Sequence, residues 1–92
     1  MPTAKARHIL VKTQQECEGL KKQIEAGADF ADLAKQHSQC PSGRRGGDLG
    51  EFGPGQMVPE FDQAVFKGEV GKVQGPVKTQ FGFHLLQVTE RK

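Results

Sequence analysis

One run in the middle of the chain restricts everything around it: Gly46-Gly47-Asp48-Leu49-Gly50-Glu51-Phe52-Gly53-Pro54-Gly55-Gln56-Met57-Val58-Pro59-Glu60-Phe61. Half of the twelve glycines fall between Gly43 and Gly55. That density excludes a helix, because each interior glycine costs roughly 1 kcal/mol there relative to alanine. A flexible linker is excluded too, since Leu49, Phe52, Met57 and Phe61 are spaced so that they can converge on one place. Glycine lets a backbone turn through positive φ and come close to another chain. The run therefore reads as a tightly turned segment presenting an apolar pocket beside exposed backbone. Such a surface suits an extended peptide. A phosphate-cradling loop needs Gly-Lys-Ser/Thr entering a helix, and that pattern is absent.

Around this run the chain falls into short elements. Ala6 to Lys12 is β-branched and apolar and reads as a first strand. It is apolar on both faces, which makes it central in its sheet, with His8 and Leu10 on one face and Ile9 and Val11 on the other. Thr13-Gln14-Gln15-Glu16 has capping-box spacing and opens a helix to about Ala26, with Cys17, Leu20 and Ile24 as its buried stripe and Gly27 as its stop. Asp29 caps a second helix, Phe30 to His37, with Phe30, Leu33 and Ala34 turned inward. Ser38 to Gly43 reads as loop, with Pro41 holding Cys40 extended, and Leu49 to Phe52 as a second strand. Pro59 starts a third helix, where its missing N–H is no loss; that helix runs to Phe66, and Gly68 closes it. Glu69 to Gly75 is turn-rich. Pro76 to Gln80 and Phe83 to Glu90 form a closing hairpin through Gly82, with His84, Leu86 and Val88 on one face. The fold class expected is α+β, helices packed around a small, mostly antiparallel four-stranded sheet.

Ninety-two residues make one domain, 1–92. A chain of this size buries about 60–65 % of its unfolded surface, enough for one modest core. Its apolar content is only 35 %, but it is placed periodically, which marks a folded domain. The formal charge of +2 is spread along the chain and forms no basic arm, so nucleic acid is not the expected partner. No stretch approaches the roughly 18 apolar residues of a membrane span, and no secretory leader is legible. The chain is expected to be cytoplasmic, its two cysteines free thiols. Nothing points to an oligomer, and a monomer is the default.

His8 and His84 come from the first and last strands. If those strands are neighbours, the imidazoles sit side by side and hydrogen-bond, as a structural pair, as a functional pair, or as both. A zinc site from His8, His84 and Cys40 lacks a short-spaced ligand pair. Cys40 as a nucleophile would need a base and an oxyanion hole, and no hydrolase motif accompanies it. Cys17, on a helical apolar stripe, reads as core, and His37 as a favourable group at a helix C-terminus. Met57 and Phe61, four apart across a helix start, read as a pocket wall because glycines precede them. Asp48 reads as a turn former. Arg44 and Arg45 read as solvated charges. Thr79 offers a hydroxyl near the hairpin, either useful or merely exposed.

Five segments then carry a resemblance. Arg7-His8-Ile9-Leu10, Cys40-Pro41-Ser42-Gly43, Gly46-Gly47-Asp48-Leu49-Gly50, Gly55-Gln56-Met57-Val58-Pro59-Glu60-Phe61 and Phe81-Gly82-Phe83-His84 resemble, in that order, the motifs of parvulin-type peptidyl-prolyl cis-trans isomerases, and among these the small free-standing bacterial kind. The resemblance covers essentially the whole chain. It implies a β-α-α-β-α-β-β fold and, as substrates, proline-containing polypeptides, with no cofactor and no metal. It implies a proline-ring pocket from Leu49, Met57 and Phe61, and a polar cluster beside the peptide bond from His8, Cys40, Thr79 and His84. Gln56 would hydrogen-bond substrate backbone. Two departures from phosphate-directed members stand out. Their basic insertion after the first strand is replaced here by Lys12-Thr13 alone, so no phosphate before the proline is expected to be needed. Gln39 and Phe81 stand where those members have an acidic and a small polar residue, and Phe81 is expected to favour an apolar residue before proline. The competing readings are a non-catalytic peptide-binding or chaperone module using the same groove, a nucleic-acid adaptor and a cysteine hydrolase.

Overall fold

The structure, a computed structural model, describes residues 3–57, 59–68 and 70–91, without the side chain of Ser42. Val58, in the glycine run, and Glu69, in the turn-rich segment, lie outside the described residues. The elements in order are β1 (Ala4–Val11), α1 (Gln14–Glu25), α2 (Phe30–His37), a 3-10 turn (Pro41–Arg45), β2 (Asp48–Phe52), α3 (Pro59–Lys67), β3 (Val73–Thr79) and β4 (Gly82–Arg91). The sheet order is β2-β1-β4-β3, and every pairing is antiparallel. The first and last strands are thus the central pair, as the two-faced apolar character of β1 demands.

Alternation along that pair divides the core in two. Ile9, Val11 and Leu85 pack with Cys17, Leu20, Phe30, Leu33 and Ala34 beneath α1 and α2. Ala4, Ala6, Leu86 and Val88 pack on the other face with Phe52, Phe61 and Val65 beneath α3. The helices start where their caps place them. Thr13 Oγ1 accepts from the Glu16 N–H at 3.2 Å, and Asp29 Oδ2 accepts from the Asp32 N–H at 3.1 Å. No helix among the described residues is long and apolar enough to cross a membrane.

Two elements differ from expectation. The Cys40 segment is not wholly loop: Pro41 to Arg45 wind into the 3-10 turn, and the fixed φ of Pro41 suits its first position. β3 begins at Val73, three residues before Pro76. Its pairing with β4 shifts register between Gln74 and Val77, so Gly75-Pro76 is an irregularity within a strand rather than its boundary. An edge strand tolerates this, because the missing proline N–H has no ladder partner to serve.

Candidate active site

The α3 face of the sheet carries a cavity of about 400 Å³. β1 supplies His8 and Leu10, and β4 supplies His84. Gln39, Cys40 and Pro41 form one wall, Leu49 of β2 and Met57 and Phe61 at the start of α3 form another, and Phe81 of the hairpin stands at the rim. Side chains far apart in sequence converge here because β1 and β4 are neighbours.

The glycine run builds the second wall. Gly47 takes φ +86° and brings its carbonyl to the His8 N–H at 3.0 Å. Asp48 Oδ1 accepts from the Gly50 N–H at 2.9 Å, the expected turn-forming role. Gln56 Oε1 accepts from the Gly53 N–H at 2.8 Å, and Asp62 Oδ1 accepts from the Gly55 N–H at 3.1 Å. The loop before Met57 is therefore tied to the first turn of α3, which carries Phe61.

The floor is a pair of imidazoles. The Nδ1 atoms of His8 and His84 lie 3.0 Å apart, with the rings nearly parallel at 14°. The Phe61 ring meets both edge-on, at centroid distances of 5.6 and 5.8 Å. On its other side His84 Nε2 lies 2.7 Å from Thr79 Oγ1, which itself accepts from the Phe81 N–H at 3.2 Å. Each histidine is 5 % exposed. Burial, and then the neighbouring His84, push the His8 pKa down to about 4, and burial lowers that of His84. Both rings are therefore neutral at pH 7, and a neutral pair needs one Nδ1 to donate and the other to accept. Two proton arrangements satisfy the row Thr79–His84–His8, and they differ only in its direction.

The structure brings together seven of the residues singled out in the sequence: His8, Cys40, Leu49, Met57, Phe61, Phe81 and His84. It places two others behind the lining. Thr79 is buried and meets the lining through His84 and the Phe81 N–H. Gln56 is exposed and turned onto the Gly53 N–H. Leu10, Gln39 and Pro41 line the wall without having been assigned to it. Leu10 was signalled by its alternation with His8, and Pro41 by its adjacency to Cys40. Cys17 is core, with burial raising its thiol pKa to about 11. Among the described residues, no three His, Cys, Asp or Glu side chains are grouped to hold a metal.

Comparison with known proteins agrees with this geometry. A family model described as the PPIC-type PPIase domain matches residues 1–92. A foldase protein PrsA from Geobacillus sp. (strain WCH70) is 51 % identical over 92 residues, which are 99 % of this chain and 33 % of that protein. The crystal structure of a peptidylprolyl isomerase, PrsA from Bacillus anthracis, superposes with a TM-score of 0.96 at 43 % identity, over 99 % of this chain and 42 % of that one. The solution structure of NmPin, the parvuline of Nitrosopumilus maritimus, superposes with a TM-score of 0.86 at 37 % identity, over 96 % of each chain. The chain spans about a third of the length of the curated relatives it matches.

Proposed function

We propose that this chain, which belongs to the PPIC-type peptidyl-prolyl cis-trans isomerase family and is an isomerase domain of the parvulin class, turns X–Pro bonds in polypeptide chains without covalent chemistry, without a phosphate before the proline, and with preference for apolar X. The observation that carries this reading is an apolar cavity floored by a neutral imidazole pair.

Rotation about an X–Pro amide crosses a barrier of about 18–20 kcal/mol set by resonance and takes tens to hundreds of seconds unaided. No bond has to break. The site has only to hold the twisted amide better than either planar form, and each 1.4 kcal/mol of that preference gives about a factor of ten. Twisting localises the lone pair on a pyramidal nitrogen and removes the charge separation of the planar amide. A slot of Leu49, Met57 and Phe61 around the ring disfavours that charge-separated form. The imidazole pair, held in place by Thr79 and Phe61, offers a donor or acceptor of fixed direction to the carbonyl. Cys40 stands beside the bond as a polar neighbour, not a nucleophile. Cys40→Ser is accordingly expected to keep kcat/KM within about tenfold of wild type. Intact-mass spectrometry of wild type during turnover is expected to reveal no adduct, and a trapped adduct would require a covalent route.

Phe81 is 65 % exposed at the rim, where it can cover an apolar side chain preceding the proline. Phe81→Ser is expected to raise KM for a Leu-Pro peptide roughly fivefold, about 1 kcal/mol of lost apolar contact, and to leave an Ala-Pro peptide nearly unchanged. A protease-coupled isomerisation assay over a panel of X-Pro peptides, including a phosphoserine-Pro peptide, tests the whole reading. Absence of rate enhancement on every peptide, with binding retained, would favour a peptide-binding module instead. The exposed Phe81 and the foldase names of the relatives make that the second reading. As part of the same proposal the domain acts as a monomer on polypeptides, neither on nucleic acid nor on membranes, in the cytoplasm, where Cys17 and Cys40, which form no disulfide, stay reduced.

A further inference from the structure

We infer that Ser38 is a positioning residue for this site, its hydroxyl fixing the Cys40 wall against the strand that carries the histidine pair. The inference rests on the isomerase reading for its consequence but not for its geometry. The β1–β2 pairing ends at Arg7 opposite Asp48. Beyond that point no strand among the described residues lies along this edge of β1, and its polar groups need other partners. The His8 N–H donates to the Gly47 carbonyl. The Leu10 N–H donates to Ser38 Oγ at 3.1 Å, and the Leu10 carbonyl accepts from the Gln39 N–H at 2.8 Å. Ser38 and Gln39 thus stand in for the missing length of strand.

The same Ser38 Oγ accepts a second, longer bond from the Cys40 N–H, at 3.4 Å. One oxygen therefore joins β1 to the segment bearing Gln39, Cys40 and Pro41, all three in the cavity lining. Ending α2 is a separate task, already met by the Ser38 backbone, whose N–H donates to the Ala34 carbonyl at 3.0 Å. Both of these partners of the hydroxyl belong to the site, not to the helix. Close packing supports the arrangement: a Cβ on Gly43 would lie 3.0 Å from Ser38 Cβ and 2.9 Å from the Ala34 carbonyl oxygen. The turn that follows Cys40 is folded down onto Ser38 itself. Because His8 lies two residues before Leu10, the hydroxyl sets the separation between the Cys40 wall and the imidazoles.

The test compares Ser38→Ala and Ser38→Thr by isomerase kinetics and by the rate at which iodoacetamide alkylates Cys40. Cys17 is fully buried with its pKa raised to about 11, so Cys40 is the thiol that reacts in the folded protein. Ser38→Ala is expected to lower kcat/KM about tenfold, mostly in kcat, and to change the alkylation rate several-fold, because small displacements of positioning groups are costly. Ser38→Thr, which keeps the hydroxyl, is expected to restore both to within about twofold. Wild-type kinetics and reactivity in Ser38→Ala would overturn the assignment. Should the alanine variant not fold, hydrogen exchange on wild type decides: the Leu10 amide is expected to exchange as slowly as the β1 amides paired to β4, and exchange at loop rates refutes the clamp. If wild type proves inactive on every peptide, the functional reading falls, while alkylation and exchange still judge the geometry.

Discussion

Gly47→Ala is expected to unfold the domain, or to leave it at least about 3 kcal/mol less stable and without isomerase activity. Two costs combine at this position. Gly47 sits at φ +86°, where a residue with a side chain carries strain of about 1–3 kcal/mol. A Cβ there would also lie 2.2 Å from the His8 carbonyl oxygen, a backbone atom that can move only if β1 moves. Relief of that clash takes the Gly47 carbonyl away from the His8 N–H and shifts the histidine pair with it. Gly50→Ala is the control. Gly50 has a similar φ of +73°, but a Cβ there meets nothing within 4 Å, so only the conformational cost remains. Urea unfolding of both variants separates the two effects. If Gly47→Ala proved no worse than Gly50→Ala, close approach to His8 would not be what the glycine is for.

That contrast also marks what a sequence reader can and cannot see. The density of glycine from Gly43 to Gly55 announces a turned segment, but not which glycine touches which strand. β1 is legible as a central strand because Ile9 and Val11 are apolar on the face opposite His8 and Leu10. The helix starts are legible because Thr13 and Asp29 are short polar residues at the right step before an apolar stripe. Periodicity does not say that β1 and β4 are neighbours; strand order is a long-range property, and the meeting of His8 with His84 depends on it. The start of β3 was hidden because Gly75-Pro76 reads as a terminator, whereas an edge strand absorbs it as an irregularity. The 3-10 turn was hidden because Pro41-Ser42-Gly43-Arg44-Arg45 has no apolar period to report it. Thr79 and Gln56 have the chemistry of site residues, and the structure adds that Thr79 Oγ1 lies against His84 while Gln56 Oε1 accepts from the Gly53 N–H. Local hydrogen bonds of that kind leave no trace in spacing.

Between pH 6.5 and pH 4 the domain is expected to lose about 3 kcal/mol of stability through His8 alone, with His84 acting in the same direction. The sign follows from proton counting. In the unfolded chain the imidazole has its ordinary pKa near 6.5, whereas in the folded site burial, and then His84, lower it to about 4. Across this window the unfolded state binds more protons than the folded state, so stability rises with pH and falls as acid is added. Above pH 6.5 both states are neutral and the histidine adds no slope; below pH 4 both are protonated and the slope ends. The structural cause is direct. Protonating both rings turns both Nδ1 atoms, 3.0 Å apart, into donors facing each other, and leaves a charge where 5 % exposure allows little hydration. Activity is expected to fall in the same window, because the floor of the cavity loses its fixed donor and acceptor. Urea unfolding at several pH values, with an NMR titration of the imidazole protons, measures both. His8→Gln is expected to flatten part of the slope, since it removes a group whose pKa burial lowers to about 4. Imidazoles that titrate near pH 6.5 in the folded protein would mean that water reaches the pair, and the neutral floor on which the isomerase reading rests would be lost.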